Sequence, residues 1–321
     1  DVIMKAPSMD MMNTLMRSVL TLYAYDDNPD NTSLSNVLRQ SLSLYAVMPL
    51  LAVYGYEAFS HYKEGKSLII HQPQPGLSTA ETFFHMIRED SHYTKLEARV
   101  LDLCLVLHAD HGGGNNSAFT TRVVTSTMTD TYSSVAAALA SLKGPRHGGA
   151  NLKVDAMMSF LKSKVKDWND DDEIRKKLDS IIRGKSFDRS GLIYGMGHAV
   201  YTISDPRAVL LRKFVTKLAE EKGCQEECAF YNKVEAIAPS VIAARKTMNR
   251  ESICANVDFY SGFVYRMLGI PHELFTPIFA IARMAGWSAH RLEEIATGSK
   301  IIRPAYKNVV KHAKYVPIKK R

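Results

Sequence analysis

Apolar residues recur at helical spacing along almost the whole 321-residue chain, and period-two alternation with β-branched enrichment is confined to pieces such as Ser67-Leu68-Ile69-Ile70. The pattern predicts an all-α fold. A first helix is expected over about Ser8 to Tyr23, before the polar loop Asp26-Asp27-Asn28-Pro29-Asp30-Asn31, and a second from near Ser33 towards Tyr62. Ser78-x-x-Glu81 and Thr94-x-x-Glu97 are capping boxes that open two more. The second of these must stop at Gly112-Gly113-Gly114, and Ser117 to Leu142 then reads as one long helix rich in Ala and Ser. Asp205-Pro206 starts a helix, since Asp caps free amides and Pro already has the required φ, and Pro271 is a second candidate start.

After His147 the chain turns more polar, with runs such as Lys162 to Lys177, until apolar helices resume around Asp258. This shift divides the reading into a large helical domain, residues 1–149 and 269–321, and a smaller inserted helical domain, residues 150–268. Asp1-Val2-Ile3-Met4-Lys5 runs almost directly into helical pattern, so a preceding segment of the large domain is expected to be missing.

With 46% hydrophobic and 23% charged residues, the composition is that of a soluble globular protein. No uninterrupted apolar run approaches the roughly 20 residues of a membrane span, and the start lacks a basic-then-apolar signal layout, so a cytoplasmic location is expected. Cys104, Cys224, Cys228 and Cys254 lack the spacing of a redox or zinc motif and fit reduced, buried thiols. The formal charge of +8 owes part of its excess to Lys311, Lys314, Lys319, Lys320 and Arg321. No nucleic-acid signature accompanies them, and an anionic small ligand explains the excess equally well.

Candidate chemistry sits where helical pattern breaks. His147 lies in Gly144-Pro145-Arg146-His147-Gly148-Gly149, His198 in Gly195-Met196-Gly197-His198, and Asp258 in Asn256-Val257-Asp258-Phe259-Tyr260-Ser261-Gly262. Flanking glycines let backbone and ligand come close, and two imidazoles with a carboxylate suit acid/base chemistry. The bland readings are tight helix connections for the histidines and a first-turn acid for Asp258. His108 and His111 with Asp110 lack a zinc motif, which leaves His111 as a hydrogen-bonding partner for an anionic or carbonyl ligand and no metal expected. Arg207, Arg283 and Arg303 would ordinarily be surface charges, but Arg283 has apolar neighbours on several sides and would want a carboxylate partner.

In order along the chain stand Leu107-His108-Ala109-Asp110-His111, Gly144 to Asn151, Gly197-His198-Ala199-Val200-Tyr201 with Asp205-Pro206-Arg207-Ala208, and Asn256 to Gly262. They are followed by Ala282 to His290 and Ile302-Arg303-Pro304, and together the chain resembles the citrate synthase family over essentially its whole length. The resemblance implies a two-domain all-α homodimer that closes its small domain over oxaloacetate before acetyl-CoA reacts. It implies Si-type condensation followed by hydrolysis of the citryl thioester, with CoA entering as a substrate thioester and no separate cofactor.

By matching motifs, Asp258 takes a proton from the acetyl methyl, His147 hydrogen-bonds the thioester oxygen, and His198 polarises and protonates the ketone. The resemblance assigns oxaloacetate to His111, Arg207, Arg283 and Arg303, the last supplied by the partner subunit, and CoA to the Gly195, Met196 and Gly197 backbone. Where many relatives carry basic residues after the small-domain histidine, this chain has Ala199 and Thr202. Two alternatives stay open: a 2-methylcitrate synthase using propionyl-CoA, and a non-catalytic helical binding protein that retained the fold.

Overall fold

A computed structural model describes residues 2–198, 200–246, 253–298, 300–307, 309–310 and 313–321. Ala199 and Lys311, singled out above, lie outside the described residues. The helices are α1 (Val2–Lys5), α2 (Met11–Leu22), α3 (Leu34–Glu64), α4 (Thr79–Ile87), α5 (Lys95–His108), α6 (Asn116–Thr125) and α7 (Thr131–Lys143). They continue with α8 (Ala150–Lys164), α9 (Asp171–Ile182), α10 (Pro206–Lys222), α11 (Gln225–Lys246), α12 (Val257–Met267) and α13 (Phe275–Ala296). The all-α expectation holds, and among the described residues the only β pairing is an isolated bridge between Met196 and Ala255. Ser67 to Ile70 is irregular chain, not a strand.

Local chemistry sets the helix ends. Both capping boxes form, with Ser78 and Thr94 each accepting from the third amide while Glu81 and Glu97 reach back. Asp10, not the earlier Ser8, caps the first long helix through Asn13 N–H at 3.0 Å. Asp205 caps α10 with Pro206 behind it. The expected single helix from Ser117 to Leu142 is instead α6 and α7 joined by a turn. Ser126 and Thr127 hydroxyls bond the Val123 and Val124 carbonyls, Met128 takes a left-handed φ of 61°, and Asp130 caps the new start through Ser133 N–H. Hydroxyls competing for backbone groups explain why a small-residue run breaks here.

Two sets of helices pack around what becomes the cleft. α13 lies against α2, α3, α5, α6 and α7, while α12 lies against α8 and α10, with α9 on α11. The sets meet where α5 touches α10 and α12. α3 is long and apolar enough, by length and mean hydropathy, to cross a membrane, although no unbroken apolar run marked it in the sequence. In this fold its Val37, Leu44, Met48 and Val53 are core residues, and buried Gln40 bonds Asp26 and Thr131.

Candidate active site

α5 ends at His108, and the loop that follows carries His111 before Asn115 opens α6. α7 ends at Lys143, and His147 sits in the tight turn before α8, its amide bonded to Gly144 O at 2.8 Å. Gly148 is required there, because an added Cβ would meet Leu142 O at 2.2 Å. Asp258 sits in the first turn of α12, where Asn256 is the cap and accepts from Asp258 N–H at 3.0 Å.

These elements bring His111, His147, His198, Arg207, Asp258 and Arg283 to one cavity of about 120 Å³. Larger cavities of about 180, 230 and 530 Å³ lie beside Lys66, beside Ile203 and beside Val2, and none of the three gathers histidines with a carboxylate. Six of the seven catalytic and substrate-binding residues read from the sequence therefore share one site. Arg303 does not: it is exposed on the C-terminal segment and does not line the cavity of this single chain. Gly195, Met196 and Gly197 also stand outside the lining. They form its frame, with Gly197 N–H on Cys254 O at 2.7 Å and Asn256 N–H on Gly195 O at 2.9 Å. Gly195 has φ 77°, and a Cβ on it would meet Phe259 and Val154 at 2.9 Å.

The protonation pattern follows from fixed donors. Ser117 N–H, which can only donate, lies 3.3 Å from His147 Nε2, with Ser117 Oγ at 3.1 Å. Nε2 is thus an acceptor and the proton of the neutral ring sits on Nδ1. Trp287 Nε1–H donates to Ser117 Oγ at 3.0 Å and holds this arrangement from α13. His198 has the opposite tautomer, because its Nδ1 accepts Val200 N–H and Tyr201 N–H, each at 3.0 Å. The two shorter amide contacts leave the proton on Nε2, and the Arg207 Nη2 group 3.4 Å away, itself only a donor, cannot accept it, so Nε2–H stays available to a ligand. Burial first, then Arg283 for His147 and Arg207 for His198 and His111, lowers all three imidazoles and keeps them neutral.

The charged groups complement them. Burial lifts the Asp258 carboxyl from 3.8 to about 6, against the opposing pull of Arg207 and with a push from Asp205. Arg283 is 1% exposed, donates to His108 O at 2.7 Å and Asn115 Oδ1 at 3.0 Å, and lies 4.7 Å from the Phe279 ring centre. Burial brings its pKa down to about 10, and among the described residues no carboxylate forms an ion pair with it. Among the described residues the carboxylate partner that its sequence neighbours called for does not form an ion pair with it, and its guanidinium lines the cavity where an incoming anion could meet it. A raised carboxylate, two oppositely oriented neutral imidazoles and two guanidiniums suit proton removal next to a carbonyl in an anionic substrate.

Sequence reasoning missed Asn115, Ser117 and Asn256, and read Asp205 only as a cap. Asn115 was the one with a signal, a capping-type residue at the end of a glycine run.

The profile described as "Citrate synthase, C-terminal domain" matches residues 1–305. A citrate synthase of Synechocystis is 38% identical over 265 residues, covering 82% of this chain and 61% of that protein. The chain thus spans less than two thirds of that relative's length. A 2-methylcitrate synthase of Shewanella oneidensis is 33% identical over 279 residues, covering 87% of this chain and 67% of its own. The citrate synthase of Thermoplasma acidophilum, solved as a ternary complex with carboxymethyl coenzyme A and oxaloacetate, superposes with a TM-score of 0.80 at 28% identity. That likeness covers all of this chain and 78% of the other.

Proposed function

The chain belongs to the citrate synthase family, and on that premise we propose that it condenses acetyl-CoA with oxaloacetate and hydrolyses the citryl thioester, releasing citrate and CoA. The observation that carries the reading is the buried Arg283, with no carboxylate ion pair among the described residues, beside Arg207 and His111 in the same cavity as Asp258 and two neutral imidazoles. A dianion with a ketone between its carboxylates fits that set of donors.

Asp258 takes a methyl proton from the thioester. An α-proton of this kind is weakly acidic, and a base of pKa about 6 removes it only where a fixed donor meets the charge developing on oxygen. His147 is that donor, through Nδ1–H, since Ser117 occupies Nε2. His198 Nε2–H polarises the ketone and passes its proton to the oxygen as the carbon–carbon bond forms, and water then cleaves the thioester. Gly195 to Gly197 offer backbone for the nucleotide portion of CoA, and CoA takes part as a substrate, with no separate cofactor.

Two arginines, one of them paired with Asp205, leave a bound dianion short of positive charge. Arg303 of a second copy supplies the remainder in this reading, and the active species is a homodimer. The test is CoA release from acetyl-CoA by the purified chain, dependent on oxaloacetate. No release from a folded dimer that also fails to bind oxaloacetate by calorimetry would sink the reading and favour a non-catalytic binding protein. A relative with the 2-methylcitrate name motivates measuring propionyl-CoA in parallel. One methylene changes binding by only about 1–3 kcal/mol, and a larger kcat/KM for propionyl-CoA would reassign the acyl substrate while leaving the chemistry intact.

A further inference from the structure

Asp205 does more than begin a helix. Its carboxylate is 1% exposed and accepts four hydrogen bonds: Arg207 N–H and Nε–H on Oδ1, each at 3.0 Å, Arg207 Nη2–H on Oδ2 at 2.8 Å, and Val257 N–H on Oδ2 at 3.2 Å. Val257 is the first residue of α12 and the neighbour of Asp258. One buried group thus holds the cavity's Arg207 and the backbone beside the candidate base, which belong to different helices. We propose that Asp205 is a positioning residue of this site, fixing Arg207 in its substrate-facing pose and locking that pose to the first turn of α12, so that the binding cation and the base are placed as one unit.

The inference rests on the proposed function for the meaning of that pose, and its geometry stands independently. Two bonds to the same guanidinium, through Nε and Nη2, leave Nη1 as the edge free to meet a carboxylate. Burial alone would raise Asp205, but the hydrogen bonds and charge of Arg207 outweigh it and keep the carboxyl ionised. An ionised Asp205 also weakens the pull of Arg207 on Asp258, and so keeps the base stronger than a bare guanidinium would allow. The other groups around Asp258 are Arg283 from α13, the imidazoles of His111, His147 and His198 in the cavity lining, and Tyr265 on α12 itself. On the packed faces α5 offers His108 and Cys104, which burial disposes to stay neutral, and α8 offers Asp155, held far along α12 by Arg266 and His272.

The experiment follows the Asp258 carboxyl by carbon-13 NMR across pH in the dimeric chain, assigned by its loss in Asp258→Asn. In Asp205→Asn the Asp258 midpoint is expected to move down, and the KM for oxaloacetate to rise about tenfold, the equivalent of about 1.4 kcal/mol, with a smaller change for acetyl-CoA. Should that variant fail to fold, Asp205→Ser, which keeps a capping oxygen without the charge, is read instead. An unmoved midpoint in a folded variant overturns the proposal, even if the KM rises, because a simple helix cap would give that result. The titration needs no turnover, so a wild-type chain that lacks activity would defeat the proposed reaction without touching the coupling.

Discussion

The cavity has two unlike walls. On one side, His147 and Arg283 are held by α6 and α13 through Ser117, Trp287, Asn115 and His108, and Ser117 and Trp287 are both fully buried. On the other, His198 belongs to a segment with little regular structure between α9 and α10 and Arg207 to the first turn of α10, held by their own backbone donors, the short pairing with residues 254–256, and Asp205. Buried, hydrogen-bonded groups resist displacement, whereas a segment with few apolar contacts opens at low free energy. A wall of each kind suits a site that must admit a ligand and then surround it. Substitutions of the residues that support the first wall from behind should therefore be felt in stability, and those on the second wall chiefly in turnover.

The largest effects are expected at the groups to which the proposed reaction gives the chemistry. Asp258→Asn should lower kcat by about 10²–10⁴-fold, and His198→Ala by a similar factor, in a CoA-release assay. Their stabilities should diverge. Asp258 has a folded pKa of about 6 against 3.8, so its contribution is complete below pH 3.8 and is lost as pH rises through 6. Asp258→Asn should therefore unfold at higher urea than the wild type above pH 6, while His198→Ala should stay within about 0.5 kcal/mol of it. A large loss of stability in His198→Ala would erase the proposed difference between the walls.

Acid separates the walls next. His108, buried at the end of α5 with Nδ1 donating to Cys104 O at 2.7 Å, is held down to about 4 from 6.5, chiefly by burial. A depressed imidazole contributes stability that is full above pH 6.5 and is lost as pH falls towards 4, on the order of 3 kcal/mol. With the opposite dependence of Asp258 removed in an Asp258→Asn background, His108→Gln should abolish most of that dependence in urea titrations between pH 7 and 4. Over the same range kcat/KM should fall below about pH 6 as Asp258 takes up a proton. If His108→Gln retains the full acid lability, the first wall owes it to other groups.

A smaller and more local change tests the tautomer argument. Ser117→Ala removes the acceptor of Trp287 Nε1–H and leaves a buried donor unpaired, a loss of about 1–3 kcal/mol measured by denaturant midpoint. The backbone N–H of residue 117 still meets His147 Nε2, so kcat should fall less than tenfold. Loss of turnover as deep as that of His198→Ala would show that the hydroxyl, not the amide, sets the ring.

How much of this was legible in the sequence differs between the walls for the same reason. Residues whose environment is local could be read: the capping boxes, Asp205-Pro206, and histidines beside glycines in breaks of the helical pattern. Ser117 was invisible because its role lies with His147, 30 residues on, and Trp287, 170 residues on. The turn between α6 and α7 escaped for a related reason, since apolar period continues across Ser126 to Asp130 and only side-chain bonds to the backbone end the helix. Arg303 was legible as a motif, yet one chain alone keeps it out of the cavity.

The smallest expected effect lies within the second wall, where two glycines two positions apart have different reasons to be glycine. Gly195 and Gly197 both take left-handed φ, 77° and 86°, which an L side chain enters at about 1–2 kcal/mol. Around Gly197 nothing lies within 4 Å of an added Cβ, while at Gly195 the Cβ would run into Phe259 and Val154. Gly197→Ala should therefore show only the backbone strain, about 1 kcal/mol in denaturant midpoint and a several-fold rise in KM for acetyl-CoA. Gly195→Ala adds a clash with the α12 residue next to Asp258 and should lower kcat as well. Equal effects in the two variants would mean that the segment shifts as freely at Gly195 as at Gly197. The second wall would then be held by Asp205 and His198 alone, without the pairing at Met196 and Ala255.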